Sequence, residues 1–152
     1  MKKINPSTSL RVNGEQSRTI NIYTDGGSRG NPGHASYGFV VLDDNGKLIY
    51  EQGKYIGITT NNVAEYSGAL EALKYVKKNL AKENLSIELF ADSRLVIEQL
   101  SGRFKVKSAH LKPIIEKIKI LALELGGVIY NYIPRHKNTE ADRLVNLALD
   151  SR

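Results

Sequence analysis

A strand that runs into a glycine-rich segment decides the fold of this chain, and it reads Thr19-Ile20-Asn21-Ile22-Tyr23-Thr24-Asp25-Gly26-Gly27-Ser28. Ile20 and Ile22 alternate with polar neighbours, which is the pattern of a strand with one buried face that ends in a turn at the glycines. Further strands are predicted over residues 35–42 and 47–58, because a turn-forming Asp-Asp-Asn-Gly run separates them. The first half of the domain is therefore predicted to be an antiparallel meander of three strands.

Helices alternate with two more strands in the second half. Apolar residues recur at helical spacing over residues 63–80, and residues 85–91 and 128–133 have the apolar character of buried strands. Three more helices are predicted: residues 93–100, a helix from a cap at Ser108 to residue 125 with Pro113 in its early turns, and one from a cap at Asn138 to the C-terminus. The pattern predicts an α/β fold with a mixed five-stranded sheet, three antiparallel strands then two parallel ones, and helices on both faces.

Length and composition restrict the class of protein. A chain of 152 residues holds one ordinary domain, which we assign to residues 19–152, after a polar, basic and flexible extension over residues 1–18. No apolar run is long enough for a membrane span, and the absence of cysteine fits a reducing cytoplasm. The net charge of +6 favours a polyanionic partner such as nucleic acid. We expect a cytoplasmic monomer with no obligate protein partner.

Four acidic residues stand at the predicted starts of helices or ends of strands. Each has a structural explanation, because Asp25 fits a turn, Asp92 fits a helix cap, and the remaining two fit the first turns of helices. These two are Glu65 and Asp142. A sheet whose strands end near helix starts would gather all four at one edge. Crowded carboxylates repel one another, so hard divalent ions such as Mg²⁺ explain the group better, and two such ions catalyse phosphoryl displacement.

Four motifs containing these acids resemble those of ribonuclease H type 1. They are Tyr23-Thr24-Asp25-Gly26-Gly27-Ser28-Arg29-Gly30-Asn31-Pro32-Gly33, Thr59-Thr60-Asn61-Asn62-Val63-Ala64-Glu65-Tyr66, Ala91-Asp92-Ser93 and Asn138-Thr139-Glu140-Ala141-Asp142-Arg143-Leu144. The resemblance covers residues 19–150 and implies a ribonuclease H-like fold. It also implies cleavage of the RNA strand of RNA/DNA hybrids, with 5′-phosphate and 3′-hydroxyl product ends. The lack of tryptophan, and the short basic segment 102–107, resemble archaeal and bacterial members without a basic protrusion.

The resemblance also implies roles for the acids. Two Mg²⁺ ions, for which Mn²⁺ can substitute, would bind there: Asp25 would bridge both, and Asp142 would help to hold the ion that activates water. Glu65 and Asp92 would hold the ion on the leaving-group side. His136 is a candidate for proton transfer, but it stands in a shortened loop, only two residues before Asn138. A solvated loop residue is the alternative for His136.

Selection for RNA requires recognition of the 2′-hydroxyl. The resemblance implies substrate contacts from polar side chains and closely approaching main chain in two loops and near the last helix. These residues are Gly26, Gly27, Ser28, Arg29, Asn31, Asn61, Asn62, Arg135 and Asn138. Two alternatives to a hybrid-specific nuclease stay open. One is the same chemistry with a broader substrate range that includes double-stranded RNA. The other is a non-catalytic nucleic-acid-binding module, which predicts a missing acid, whereas all four are present.

Overall fold

The computed structural model describes residues 8–12, 15–81 and 84–152. Five strands form a mixed sheet in the order β4-β3-β2-β5-β6, and a short strand, β1, pairs with the beginning of β2. The bounds of the strands are β1 Thr8–Val12, β2 Glu15–Gly30, β3 Gly33–Asp43, β4 Leu48–Thr59, β5 Asn84–Ala91 and β6 Val128–Tyr132. Strands β2, β3 and β4 are antiparallel, whereas β5 and β6 run parallel to β2, as the sequence predicted.

Helices cover both faces of the sheet, which confirms the predicted architecture. Their bounds are α1 Asn61–Asn79, α2 Arg94–Leu100, α3 Lys112–Glu124 and α4 Thr139–Asp150, with a short 3₁₀ turn at Arg135–Lys137. Along β3, Phe39 and Val41 belong to the core that contains α1, whereas Ser36 and Gly38 contact α4. This alternation follows from the two-residue period of a strand. None of the helices in the described ranges is long and apolar enough to cross a membrane.

The main core lies between α1 and the centre of the sheet. Ile20 and Ile22 have no exposed surface, and they are paired in register with Ile87 and Leu89 of β5. The apolar side of α1 covers them, with α3 packed behind it. Burial of large aliphatic side chains contributes about 1.5–3 kcal/mol each. The alternating pattern of β2 therefore anchors the strand that carries Asp25.

Three features differ from the prediction. Strand β2 starts at Glu15 and extends through the glycines to Gly30, so Asp25-Gly26-Gly27 is strand rather than turn. Residues 8–12 form β1 within the segment predicted as a flexible extension, although residues 1–7 and 13–14 of that segment lie outside the described residues. Helix α3 begins at Lys112 instead of after a cap at Ser108. Pro113 then occupies the first turn, where its missing N–H costs no hydrogen bond.

Candidate active site

Three carboxylates from separate elements meet at the edge of the sheet. Asp25 lies on β2, Asp92 directly follows β5, and Glu65 lies near the start of α1. Because β2 and β5 are parallel and Tyr23 is paired with Phe90, Asp25 and Asp92 stand equally far along neighbouring strands. One oxygen from each of the three carboxylates lies within 4.8 Å of the others. The structure thus places three of the four predicted acids together.

Gly26 brings Glu65 close to Asp25. A Cβ atom at Gly26 would overlap the Ala64 carbonyl carbon and the Glu65 nitrogen, so the α1 backbone lies directly against β2 at this point. A Cβ atom at Gly68 would lie 3.0 Å from the carbonyl oxygen of Asp25. The two glycines therefore permit the close approach of helix and strand that assembles the carboxylates. The Asp-Gly-Gly sequence predicts a turn at Gly26 and gives no sign of this close approach.

The grouping disfavours the charged state of the carboxylates. Burial raises the pKa of Asp25 to about 8, and the neighbouring charges of Asp92, Glu65 and Asp142 add to the rise. Burial, together with Asp92, raises the pKa of Glu65 to about 7. Burial also raises the pKa of Asp92, although a hydrogen bond from Asn138 and the charge of Arg135 oppose it. A cation in this cluster would stabilise the charged carboxylates, which suits a site for a hard divalent ion.

Asp142 stands at the margin of this group. Its carboxylate lies 3.8 Å from the Arg135 guanidinium and is 34% exposed. Helix α4, which carries it, docks closely on the sheet, because Cβ atoms at Gly38 and Gly53 would lie 2.6 and 2.5 Å from its carbonyl oxygens. Ser36 Oγ also donates a hydrogen bond of 2.7 Å to the Val145 carbonyl. These contacts hold Asp142 over the same cleft as the other acids.

The cleft has a volume of about 520 Å³ and contains all four acids. Seven of the predicted substrate-binding residues line it: Gly26, Gly27, Ser28, Arg29, Asn61, Asn62 and Arg135. Three α4 residues that were not predicted to belong to the site also line it, namely Val145, Asn146 and Leu149. Their helical spacing from Asp142 is the signal that would have identified them.

Hydrogen bonds order the polar rim of the cleft. Asn61 Oδ1 accepts from the Ser28 main-chain N–H at 2.7 Å and from its hydroxyl at 3.0 Å. Asn31, predicted to contact substrate, instead accepts from the Asn61 main-chain N–H at 3.0 Å and lies outside the cleft lining. Arg29 forms a 2.7 Å ion pair with Asp150 at the end of α4. The rim therefore joins β2 to the N-terminus of α1 and to α4.

Comparison with known proteins identifies the family. A family model described as reverse transcriptase-like matches residues 23–148, a range that contains all four acids. LC11-RNase H1, solved in complex with an RNA/DNA hybrid, superposes with a TM-score of 0.84 and 42% identity, covering 87% of this chain and 97% of that one. This chain belongs to the ribonuclease H type 1 family.

An archaeal and a bacterial protein both resemble the chain. RNase H1 from the halophilic archaeon Halobacterium salinarum superposes with a TM-score of 0.82 and 35% identity, over 88% of this chain and 99% of that one. The bifunctional protein Rv2228c of Mycobacterium tuberculosis is 44% identical over 131 residues, which is 86% of this chain. The chain spans only 35% of the length of that mycobacterial relative.

Besides Asn31, two more predicted residues lie outside the cleft lining. Asn138 is 1% exposed and therefore does not present its side chain to a substrate, and it makes no side-chain cap for α4. It donates hydrogen bonds to the Thr24 carbonyl and to Asp92 instead. His136 is exposed on the 3₁₀ turn, beside Arg135, which does line the cleft. The proton-transfer role of His136 stays a prediction.

Proposed function

We propose that this domain hydrolyses the RNA strand of RNA/DNA hybrids with the aid of bound divalent metal ions. The ligands would be the four acids of the cleft, which are Asp25, Glu65, Asp92 and Asp142. The observation that carries the proposal is the set of three part-buried carboxylates whose oxygens lie within 4.8 Å of one another. The similarity to LC11-RNase H1, which was solved with a hybrid bound, supports the choice of substrate.

The donor set fits Mg²⁺ or Mn²⁺. The ligand atoms are carboxylate oxygens only, and hard divalent cations prefer oxygen to sulfur or nitrogen. Burial raises the pKa values of Asp25 and Glu65. These carboxyl groups therefore bind protons unless a metal ion compensates their negative charge. We propose two ions, because Asp142 extends the acidic surface beyond the group of three. When bound, two ions stabilise charge on the attacking and leaving oxygens of an in-line phosphoryl displacement.

The reaction would be attack of water on the phosphorus of an RNA linkage. A P–O bond forms to the water oxygen, the bond from phosphorus to the ribose 3′ oxygen breaks, and that oxygen takes up a proton. The products would then carry 5′-phosphate and 3′-hydroxyl ends. Arg135, whose side chain is 83% exposed at the cleft, would contact a substrate phosphate. His136, next to it, would carry a proton to or from bulk water.

Selection of the RNA strand would depend on the polar rim. Ser28 and Asn61 hold each other through two hydrogen bonds, which fixes the Asn61 amide at the cleft. Asn62 lies beside it, and at Gly26 and Gly27 the main chain itself reaches the cleft. Short polar groups and main chain of this kind suit recognition of 2′-hydroxyls in a minor groove. A ligand lacking these hydroxyls would form fewer hydrogen bonds with the rim.

The test is cleavage of end-labelled RNA/DNA hybrid, duplex RNA, duplex DNA and single strands by the wild type and Asp25→Asn, with Mg²⁺ or Mn²⁺. We expect metal-dependent cutting of the hybrid that is lost in the variant, because the variant removes one carboxylate of the cluster. Cutting of duplex RNA at a similar rate would show the broader substrate range. Failure to cut any substrate, with hybrid binding intact, would identify a binding module instead.

A further inference from the structure

One buried side chain connects the elements that carry three of the four acids. Asn138 lies between the 3₁₀ turn and α4, and it is 1% exposed. Its Nδ2 donates to the Thr24 carbonyl at 2.8 Å and to Asp92 Oδ2 at 3.4 Å. Thr24 directly precedes Asp25 on β2. The same amide therefore contacts both β2 and the carboxylate that follows β5.

The main chain of Asn138 extends this connection to Asp142. Its carbonyl accepts a hydrogen bond of 3.2 Å from the Asp142 N–H, the bond that starts α4. Its own N–H donates to the Arg135 carbonyl at 3.0 Å. The position of Asn138 thus determines where α4 begins relative to the sheet. The position of Asp142, in the first turn of that helix, therefore depends on Asn138.

We infer that Asn138 is a positioning residue that holds Asp92 and Asp142 in place relative to Asp25 for metal binding. The inference rests on the proposed function. Groups that hydrogen-bond to a metal-ligating carboxylate orient it, and their loss reduces metal affinity or activity about 10–100-fold. Asn138 has a suitable arrangement, because each hydrogen of its Nδ2 has an acceptor and the Asp92 oxygen is one of them.

The surroundings fix the orientation of this amide. Rotation by 180° about the last side-chain bond would place Oδ1 against the Thr24 carbonyl and the Asp92 carboxylate, both of which are acceptors. In the observed orientation Oδ1 is buried and has no hydrogen-bond partner. A buried oxygen without a hydrogen-bond partner is unfavourable. That cost is tolerated at a residue whose other amide atom supports Asp92.

The inference is tested with Asn138→Ala and Asn138→Asp in the full chain. The alanine variant removes both donated hydrogen bonds together with the unpaired oxygen, so we expect it to fold. The aspartate variant keeps the shape of the side chain but places a carboxyl oxygen where the Nδ2 donor stood, against the Thr24 carbonyl and Asp92. Asn131→Ala is the matched control, because it also removes an amide that donates a hydrogen bond to a carboxylate, that of Glu88, and neither residue lines the cleft. Mn²⁺ binding is measured by calorimetry, and kcat and KM on an RNA/DNA hybrid are measured separately.

We expect Mn²⁺ affinity to fall about 10–100-fold in both Asn138 variants, and kcat to fall while KM for the hybrid stays within about twofold. Asn131→Ala should keep the Mn²⁺ affinity of the wild type. Unchanged Mn²⁺ affinity in Asn138→Ala, with an active wild type, would overturn this inference alone. A rise in KM without loss of Mn²⁺ affinity would also overturn it, and would indicate that Asn138 contacts the substrate. A wild type that neither binds Mn²⁺ nor cuts would overturn both proposals.

Discussion

The three grouped acids and Asp142 occupy one cleft but are held there by different means. The group of three, Asp25, Glu65 and Asp92, depends on the parallel register of β2 with β5 and on the close approach of α1 at Gly26. Asp142 depends on how α4 docks against the other side of the sheet at Gly38 and Gly53. Sheet register is strongly specified when one face is buried. A docked helix end is less strictly fixed than a ladder of backbone hydrogen bonds.

The two parts also differ in electrostatics. Asp25 and Glu65 have pKa values raised to about 8 and about 7, chiefly by burial. Asp142 is one-third exposed and lies 3.8 Å from Arg135. The group of three is therefore unfavourable without a cation, whereas Asp142 has water and a guanidinium nearby. On the proposed function, the group of three would form the main metal site and Asp142 would complete it.

The largest expected difference is in activity between Asp25→Asn and Asp142→Asn. Loss of Asp25 removes the centre of the cluster and several kcal/mol of metal-dependent stabilisation, which lowers kcat by about 10³-fold or more. Asp142→Asn keeps an oxygen ligand at the margin of the group, and we expect a loss of about tenfold, or about 1.4 kcal/mol. Single-turnover cleavage of an RNA/DNA hybrid at saturating Mg²⁺ measures both. Equal losses would contradict the distinction between Asp142 and the group of three.

The next effect concerns Gly26. Gly26→Ala would force β2 and α1 apart, since the new methyl group would overlap the backbone at Ala64 and Glu65. Overpacking of this kind costs about 1–3 kcal/mol, which corresponds to about 2–12 °C in Tm for a domain of this size. Gly27→Ala is the matched control, because its Cβ would meet only Val145 Cγ1 at 3.6 Å, an ordinary contact.

Thermal unfolding with EDTA present compares these two glycine variants directly. Mn²⁺ affinity should also fall in Gly26→Ala, because Glu65 moves with α1. A Tm for Gly26→Ala as high as that of Gly27→Ala would show that the approach of α1 to β2 can relax. The group of three would then not depend on this glycine.

Much of this arrangement could be predicted from the sequence, because its causes are local. The alternation of Ile20 and Ile22 identifies β2, and the apolar run before Asp92 identifies β5. Strands that end at the same edge then bring their acids together. The resemblance to ribonuclease H motifs selected the same residues. The fold class and the proximity of three acids followed from these patterns.

The remaining features depend on contacts between distant parts of the chain. The Asp-Gly-Gly run has the composition of a turn, yet β3 pairs with it through Gly30 and keeps it extended. Asn138 has the position of a helix cap, but its side chain points to Thr24 and Asp92, which are 114 and 46 residues away in the sequence. The sequence alone does not distinguish an amide that caps its own helix from one that bonds to another element.

The smallest expected effect is on the pH dependence of stability without metal. The pKa of Asp25 is about 8 in the folded protein against an ordinary value of 3.8, and that of Glu65 is about 7 against 4.5. The folded state therefore binds more protons than the unfolded state between these values. Stability that is fully present below about pH 4 is lost as the pH rises through about 8. We expect the Tm in EDTA to fall between about pH 4 and about pH 8, by about 2–4 °C for each kcal/mol lost.

The two parts of the site should contribute unequally to this loss. Asp25→Asn removes the carboxyl group whose pKa rises from 3.8 to about 8. It also removes a charge next to Glu65 and Asp92. The fall in Tm with pH should therefore be clearly smaller in this variant. Asp142→Asn should keep most of the fall, because Asp142 makes the smallest contribution to the raised pKa of Asp25. Saturating Mn²⁺ should leave both proteins unchanged at low pH, where the protonated cluster does not bind the ion, and should reverse their difference at high pH, where the ionised wild-type cluster binds it. If Asp25→Asn has the same dependence of Tm on pH as the wild type, burial does not raise the pKa of Asp25. The group of three would then not differ from Asp142 in its electrostatics.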